Sequence, residues 1–176
     1  MKFRAYIYVC FFLCLSCGEQ EPRKPISSSK TYSLSSATEF LKKINKNEEA
    51  KIKKYIENDS LYLYSRSSNG FWYRYIHKIE KDTIVPQKGN TIEFSYDIAN
   101  LDNKLIYSSE EIGVKTYWVD KEDMIPGLQK GIKIMKPGET IKFIFPSFNA
   151  FGVVGDGQKI GINQSLISKV TLINIK

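Results

Sequence analysis

The side chains that most often carry enzymatic chemistry are scarce in this sequence of 176 residues. It contains one histidine, His77, and three cysteines, Cys10, Cys14 and Cys17. All three cysteines lie near the start of the chain, and no set of side chains has the spacing that metal ligands require. The sequence therefore argues against metal-dependent or nucleophilic catalysis, and we predict a structural role for His77 among its strand-forming neighbours.

The most strongly patterned stretch is 124–152, which predicts a short helix, a turn and a strand. Pro126 suits a first helical position, where its missing N–H is no loss, and Pro137-Gly138 ends the helix. The apolar residues of one helix face and then one strand face recur in the order Leu128, Ile132, Met135, Ile141, Phe143 and Phe145. Pro146 ends the strand. On its own, such a helix packed on a strand occurs in many unrelated folds.

Further strands are predicted on both sides of this stretch. Asn69-Gly70 lies between two aromatic-rich runs, Leu61–Tyr64 and Phe71–Ile76, and predicts a β-hairpin. Period-two alternation predicts a strand over 92–98, and shorter apolar runs predict strands at 105–107 and 170–175. The glycine-containing stretch 153–161 has no regular pattern and predicts a long mobile loop. The order of strands, one short helix and further strands predicts an α+β fold, with an antiparallel sheet wrapped around the short helix.

Residues 37–60 predict a helical segment that precedes a domain over 61–176. Five apolar residues form its stripe: Phe40, Leu41, Ile44, Ile52 and Ile56. The stripe is thin and is interrupted at Lys46–Ala50, so the segment is predicted as one helix or two short ones that dock loosely on the domain.

The first residues resemble an export signal. Residues 1–16 carry Lys2 and Arg4 and then an apolar run that is too short to span a bilayer. The run ends at Ser16-Cys17-Gly18, which resembles a bacterial lipobox, so Cys17 is the predicted lipidation site. An ordinary cleaved signal with an incidental cysteine is the alternative. Residues 17–36 contain Pro22, Pro25 and three consecutive serines, and predict a flexible tether.

Several spaced motifs in the C-terminal part of the chain resemble those of FKBP-type peptidyl-prolyl isomerases. The motifs are Gly89–Tyr96, Asp102–Lys104, Ser108-Ser109, Ile125-Pro126-Gly127 with Gly131 and Met135, Gly138-Glu139 and Ala150-Phe151-Gly152. They follow the order of the family between Gly70 and Lys176. Together with the lipobox and the run Gly70–Tyr73, they make the chain most similar to FKBP-type lipoproteins associated with gliding motility. The resemblance implies an FKBP-like fold and no cofactor.

The resemblance also implies an apolar pocket for an X–Pro segment. Three of its residues would act in catalysis: Tyr96, Ile125 through its backbone N–H, and Phe151. Five would contact the substrate: Ile106, Tyr107, Met124, Leu128 and Ile160. The alternative is that these eight residues are simply part of the core.

The implied pocket departs from the family pattern at five positions. The family usually has Trp at Leu128, Phe at Ile106, Asp at Tyr107, Tyr at Phe151 and Phe at Ser168. The pocket stays apolar but has fewer hydrogen-bonding groups. These departures imply an isomerase activity that is weak or selective for particular sequences.

The net charge of +7 bears on partners and location. Solvated lysine faces account for it, and attraction to anionic lipid or acidic partners is the alternative. No basic run with interleaved aromatic residues is present, so we expect no nucleic-acid partner. The chain is expected in the bacterial cell envelope, lipid-anchored through Cys17, with its domain on the periplasmic side.

Two functions fit these observations. The first is a prolyl isomerase that assists the folding of proline-containing exported polypeptides, with gliding motility as a process it would serve. The second is a binding module that holds an envelope or motility-machinery protein in the same pocket, with little or no catalysis.

Overall fold

The computed structural model describes residues 34–80 and 84–176. Within these residues the elements, in chain order, are α1 (Leu34–Asn58), β1 (Ser65–Arg66), β2 (Trp72–His77), β3 (Thr91–Tyr96), β4 (Ile98–Ala99), β5 (Leu105–Tyr107), α2 (Ser109–Ile112), β6 (Lys115–Trp118), α3 (Pro126–Ile132), β7 (Thr140–Phe145), a 3₁₀ turn (Ser147–Asn149) and β8 (Leu166–Ile175). This order confirms the predicted α+β class, with an antiparallel sheet and short helices.

The described strands form one antiparallel sheet in the order β1-β2-β7-β8-β3-β6, in which β4 also pairs with β8, and β5 pairs with β4. β8 lies at the centre of this order. It pairs with β7 from Thr140↔Thr171 to Phe145↔Leu166 and with β3 from Ile92↔Ile175 to Tyr96↔Val170. β4 continues along the same edge of β8, with Ala99 opposite Ile167. β8 therefore joins β7 to the consecutive strands β3 and β4.

One face of the sheet packs against α3 in a large apolar core. Alternate residues of β7, Ile141, Phe143 and Phe145, point into this core together with Leu128 and Ile132 of α3. The predicted helix and the strand after it are therefore confirmed, but the helix is shorter than predicted. It ends at Ile132, so Met135, the third residue of the predicted stripe, lies beyond the helix, although it is still fully buried.

Two glycines allow α3 to lie close to β7. A Cβ atom at Gly127 would overlap the Phe145 ring and lie 2.7 Å from the carbonyl oxygen of Asn149. At Gly131 a Cβ atom would lie 2.9 Å from the Phe143 ring. The absence of side chains at these two positions is what sets the distance between the helix and the strand.

The opposite face of the sheet is covered by α1. Ile144 points away from the α3 side because it lies between Phe143 and Phe145 on β7, and it packs with Trp72, Ile167 and Ile52 of α1. Polar contacts surround this small cluster. They are Tyr55 Oη with Lys142 Nζ at 2.6 Å, Tyr64 Oη with Asp59 Oδ2 at 2.6 Å, and the Arg74 guanidinium carbon 3.8 Å from the Tyr62 ring centroid.

The prediction of a first hairpin strand over Leu61–Tyr64 is wrong. The hairpin around Asn69-Gly70 exists, but its first strand is β1, with Ser65 opposite Tyr73. Leu61 and Leu63 are 89% and 96% exposed. The alternate residues Tyr62 and Tyr64 instead contact the Arg74 side chain, so the aromatic run caps a cation rather than entering the sheet.

Two short elements were not predicted. α2 begins after Ser108, whose hydroxyl accepts a hydrogen bond from the Glu111 N–H at 3.1 Å and caps the helix. β6 pairs with β3, and only Tyr117 of its four residues is buried. Elements of four residues are too short to give a periodic signal.

Candidate active site

The candidate site begins at the N-terminal end of α3. Pro126 occupies the first helical turn, and Ile125 precedes it as the N-cap. Across residues 34–80 and 84–176, no acceptor takes the backbone N–H of Ile125. This donor is set in an apolar wall, because the Ile125 side chain packs on the core. It is therefore placed to bind a carbonyl group from outside the protein.

All eight residues implied by the family resemblance lie in or against the same apolar cluster. Two of them, Leu128 and Ile160, are core residues that are 1% and 3% exposed. The other six are half-buried: Tyr96, Ile106, Tyr107, Met124, Ile125 and Phe151. Leu128 and Ile160 are therefore core residues, as the alternative interpretation has it, whereas the remaining six residues are partly exposed to solvent.

Tyr96 and Phe151 supply aromatic surface in this group. The Tyr96 ring is stacked on Phe94, with centroids 5.5 Å apart and planes inclined by 19°. Burial raises the pKa of the Tyr96 hydroxyl, so this group stays protonated and can donate a hydrogen bond at neutral pH. Phe151 carries an apolar ring edge only.

A small apolar cavity lies beneath these residues. Its lining consists of Ile98, Ile125, Leu128, Phe145, Leu166 and Ser168. Its volume is about 10 Å³, which is room for about one water molecule. The Ser168 hydroxyl does not face this space freely, because it donates to the Asp97 carbonyl oxygen at 2.7 Å. The floor of the site is thus nearly closed.

Sequence reasoning did not assign three of these lining residues to the pocket. Ile98 and Phe145 lie at alternating positions of predicted strands, and Leu166 lies shortly before the predicted strand over 170–175. The available signal was therefore their strand periodicity, combined with the register that places β4, β7 and β8 side by side.

A hydrogen-bonded pair forms the rim of the site. Tyr107 Oη donates to Asp156 Oδ2 at 2.6 Å, and Asp156 Oδ1 accepts from the N–H groups of Gln158 and Ile160, each at 2.8 Å. Desolvation acts to raise the pKa of Asp156, but these hydrogen bonds together lower it. The bond to Asp156 is the main cause of the raised pKa of Tyr107, with desolvation next. The position at which the family usually has Asp thus holds a tyrosine that binds a carboxylate from the opposing loop.

The loop that supplies Asp156 is irregular, as predicted, and is braced internally. Gly152 N–H donates to the Ser147 carbonyl oxygen, and Asn163 N–H donates to the Gly152 carbonyl oxygen, both at 2.8 Å. Lys159 Nζ lies 2.7 Å from Glu111 Oε1 and 4.4 Å from the Tyr107 ring centroid. The mobility predicted for this loop stays a prediction.

The remaining predictions concern residues away from this site. His77 is the exposed last residue of β2 and is absent from the described cluster that lines the pocket. Among the described residues, no group of three or more His, Cys, Asp or Glu side chains could hold a metal ion. In the same part of the chain, no helix has the length and apolar character needed to cross a membrane. Cys17, the predicted signal segment and most of the predicted tether lie outside the described residues.

A wider depression of about 720 Å³ lies beside α1, between this helix and segments 100–102 and 162–165. Its lining is rich in polar groups, including Lys51, Lys54, Asn58 and Gln164. Rotation about an X–Pro bond is favoured by an apolar environment that excludes water, so the smaller pocket at α3 is the better candidate for this chemistry.

Comparisons with known proteins agree with this geometry. Residues 82–173, slightly more than half of the chain, match the family described as "FKBP-type peptidyl-prolyl cis-trans isomerase". All eight residues of the candidate pocket fall within this match. The long helix α1 and the β1-β2 hairpin lie outside it.

Two curated relatives match the same part of the chain. The "Outer membrane protein MIP" of Legionella longbeachae is 31% identical over 91 residues, covering 52% of this chain and 39% of that protein. The "Probable FKBP-type peptidyl-prolyl cis-trans isomerase FkpA" of Neisseria meningitidis serogroup B is 30% identical over 90 residues, covering 51% and 33%. The chain thus spans well under half the length of either relative.

One solved structure resembles a longer part of the chain. The crystal structure of FkpA from Escherichia coli superposes with a TM-score of 0.61 and 25% identity. The superposition covers 99% of this chain and 81% of that chain.

Proposed function

Because the chain belongs to the family of FKBP-type peptidyl-prolyl cis-trans isomerases, we propose that its α3 pocket catalyses cis–trans rotation about X–Pro bonds in exported polypeptides. The observation that carries this proposal is the Ile125 N–H, which has no acceptor among the described residues and is set in a half-buried apolar wall at the start of α3. The family match supports the reaction class.

The reaction needs no reactive side chain. An X–Pro bond rotates over a barrier of ~18–20 kcal/mol and takes tens of seconds or more without a catalyst. Twisting the imide removes its resonance, so the transition state carries less charge separation than the planar ground state. An apolar pocket therefore binds the twisted form better than the planar one, and this difference lowers the barrier.

The pocket residues divide this task. The Ile125 N–H binds a substrate carbonyl, which orients the chain, while Leu128 and Ile160 form the apolar floor under the proline ring. Tyr96, Phe151 and Met124 surround the ring, with the Tyr96 hydroxyl protonated and available to donate. Ile106 and Tyr107 complete the wall, and the bond from Tyr107 to Asp156 holds the opposing loop near the substrate.

The decisive experiment measures isomerisation of short X–Pro peptides by NMR exchange spectroscopy. Ile125→Pro removes the backbone donor and fits the local geometry, since Ile125 has φ −47° and proline prefers about −65°. Ile125→Val retains the donor and most of the apolar side chain, and serves as the matched control. We expect wild type and Ile125→Val to accelerate exchange, and Ile125→Pro to be about tenfold slower, as the loss of one hydrogen bond implies. A wild-type protein that leaves the exchange rate unchanged would refute the proposal.

The second candidate function is a binding module for proline-containing segments. The nearly closed cavity favours it, because a floor with room for about one water molecule admits a proline ring only after side chains shift. The same NMR samples separate the two functions. Binding without catalysis shifts the peptide resonances as protein is added, but the cis–trans exchange rate stays that of the free peptide.

We further propose that the protein is anchored to the cell envelope by lipid on Cys17. The lipobox-like Ser16-Cys17-Gly18 supports this, as does the name of the Legionella relative, an outer membrane protein. Two acyl chains hold a protein stably where one chain does not. Cys17→Ala should abolish incorporation of labelled fatty acid and move the protein to the soluble fraction. Acylation that persists in this variant would exclude Cys17.

We also propose a role in gliding motility, which rests on the similarity of the lipobox and the Gly70–Tyr73 run to lipoproteins of that process. Replacing the gene with the Cys17→Ala form in its native bacterium should then reduce spreading of colonies. A strain that lacks the gene and spreads normally would overturn this part of the proposal.

A further inference from the structure

Helix α1 places one carboxylate against the isomerase domain. Glu48 is only 5% exposed, although it lies in the polar run 46–50 that interrupts the apolar stripe of the helix. A buried carboxylate is unfavourable unless donors surround it, because burial removes its hydration. The partners of Glu48 therefore indicate why the chain retains a charge here.

Three hydrogen bonds satisfy this carboxylate, and all come from two serines. Oε2 accepts from the Ser147 N–H at 2.7 Å and from the Ser165 hydroxyl at 3.1 Å, and Oε1 accepts from the Ser147 hydroxyl at 2.6 Å. Bonds to an ionised acceptor are among the stronger hydrogen bonds in proteins. Glu48 thus joins α1 to two points that are 99 and 117 residues further along the chain.

These two points are the ends of one loop. Ser147 begins the 3₁₀ turn, one residue after the end of β7, and Ser165 is the last residue before β8. The segment between them, 147–165, carries Phe151, Asp156 and Ile160. One side chain of α1 therefore clamps both ends of the loop that contributes residues to the pocket.

Further hydrogen bonds extend from Ser147 into the loop. The Ser147 carbonyl oxygen accepts from the Gly152 N–H, and the Gly152 carbonyl oxygen accepts from the Asn163 N–H. Gly152 directly follows Phe151, so the bonded path from Glu48 reaches the backbone beside the pocket ring. An apolar side chain at position 48 could cover the sheet, but it could not fix the Ser147 N–H and the Ser165 hydroxyl at once.

We propose that Glu48 is a positioning residue for the pocket: from α1, its carboxylate holds both ends of segment 147–165 and thereby places Phe151 and Ile160. The consequence for catalysis rests on the proposed isomerase function, whereas the consequence for loop order can be measured without it. α1 lies outside the part of the chain that matches the family, so this contact adds a determinant from beyond the family domain.

The test uses the full mature chain and three variants. Glu48→Gln retains the reach of the side chain but removes the charge, and Ser165→Ala releases only the second end of the loop. Glu49→Gln is the matched control, because Glu49 lies next along the same helix and pairs only with the surface residues Lys53 and Arg66. Amide hydrogen exchange of Gly152 and Asn163 reports loop order, and peptide isomerisation reports the pocket.

For Glu48→Gln we expect exchange at Gly152 and Asn163 to be about tenfold faster, with β3 and β8 amides unchanged. The kcat/KM for an X–Pro peptide should fall about three- to tenfold, chiefly through KM, because the pocket is ordered less of the time. Ser165→Ala should show the same pattern with a smaller change, and Glu49→Gln should match wild type.

Other results would refute either the positioning role of Glu48 or the isomerase function. Faster exchange that is equal in the loop and in β8 would show that Glu48 only supports global stability, and loop exchange at the wild-type rate would show no positioning at all. If wild type accelerates isomerisation, loop loosening without any change in kcat/KM would also overturn the proposal. If wild type fails to accelerate isomerisation but its loop responds as expected, the positioning role stands and the isomerase function falls.

Discussion

The two faces of the sheet are stabilised in different ways. On the α3 side, seventeen of the described residues form one continuous buried apolar core, and two glycines bring the helix into contact with phenyl rings. On the α1 side, four buried residues form a small cluster, and polar contacts through Glu48, Tyr55 and Asp59 complete the junction. Apolar periodicity specifies the first face, whereas hydrogen bonds between distant residues specify the second.

The largest loss of stability on the α3 side should follow from adding a methyl group between α3 and β7. Gly127→Ala should lower the free energy of unfolding by about 3 kcal/mol, because the new Cβ overlaps the Phe145 ring and the Asn149 carbonyl oxygen. Gly161→Ala is the control, since its Cβ meets only the end of the Gln164 side chain, at 3.5 Å. It should change stability by less than about 1 kcal/mol in urea denaturation. Equal midpoints for the two variants would contradict the close approach of α3.

On the α1 side the largest single effect should come from Ile52→Ala. Ile52 is fully buried against Trp72, Ile144 and Ile167, so its truncation should cost about 2 kcal/mol of stability. Phe40→Ala, on an exposed part of the same helix, should stay within about 0.5 kcal/mol of wild type. If the two variants unfold at the same urea concentration, α1 contributes nothing through its apolar contacts and the comparison between the faces fails.

A hydroxyl group added to Phe151 tests whether this apolar residue lines the pocket or belongs to the core. Phe151→Tyr supplies one donor at a half-buried ring and should tighten binding of an X–Pro peptide up to about tenfold, since one neutral hydrogen bond contributes about 0.5–1.5 kcal/mol. Stability should stay nearly unchanged because Phe151 is only half-buried. Lower stability by ~1–3 kcal/mol without tighter binding would instead place Phe151 in the core.

The smallest predicted effect concerns the rim pair and pH. The folded-state pKa of Asp156 is lowered, so the contribution of this carboxylate to loop stability is present above the unfolded value of about 3.9. It is lost as pH falls from there through the folded-state pKa. Tyr107→Phe removes one donor and should raise the pKa of Asp156, as followed by NMR titration of its carboxyl carbon. Tyr96→Phe is the control and should leave the titration of Asp156 unchanged.

The sequence predicted the α3 side of the fold because its determinants are local. Leu128, Ile132 and Met135 recur at helical spacing, Ile141, Phe143 and Phe145 alternate, Pro126 marks the start of the helix and Pro146 the end of the strand. Burial of each residue follows from its position in its own segment. The positions of the eight pocket residues followed from spaced motifs, and their roles are proposals.

The α1 side could not be predicted in the same way. Glu48 lies in the polar run 46–50, which interrupts the apolar stripe of the helix, and its partners Ser147 and Ser165 carry no periodic signal. The loose docking expected of this helix stays a prediction, and the structure buries Glu48 and Ile52 while it leaves Phe40 and Leu41 exposed. The aromatic run Leu61–Tyr64 wrongly predicts a strand. The contacts of the Tyr62 and Tyr64 rings with the Arg74 guanidinium group depend on the tertiary fold, so they leave no local signal in the sequence.

The central position of β8 affects how the protein acquires its structure during synthesis. All of its described partners, β3, β4 and β7, precede it in the chain. A chain that emerges from a ribosome or a translocation channel N-terminus first therefore holds β1-β2-β7 and β3-β6 as unjoined groups until Leu166–Ile175 follows. Until that moment the apolar faces of both groups stay accessible to chaperones and export factors. Release of β8 then joins the two groups into one sheet.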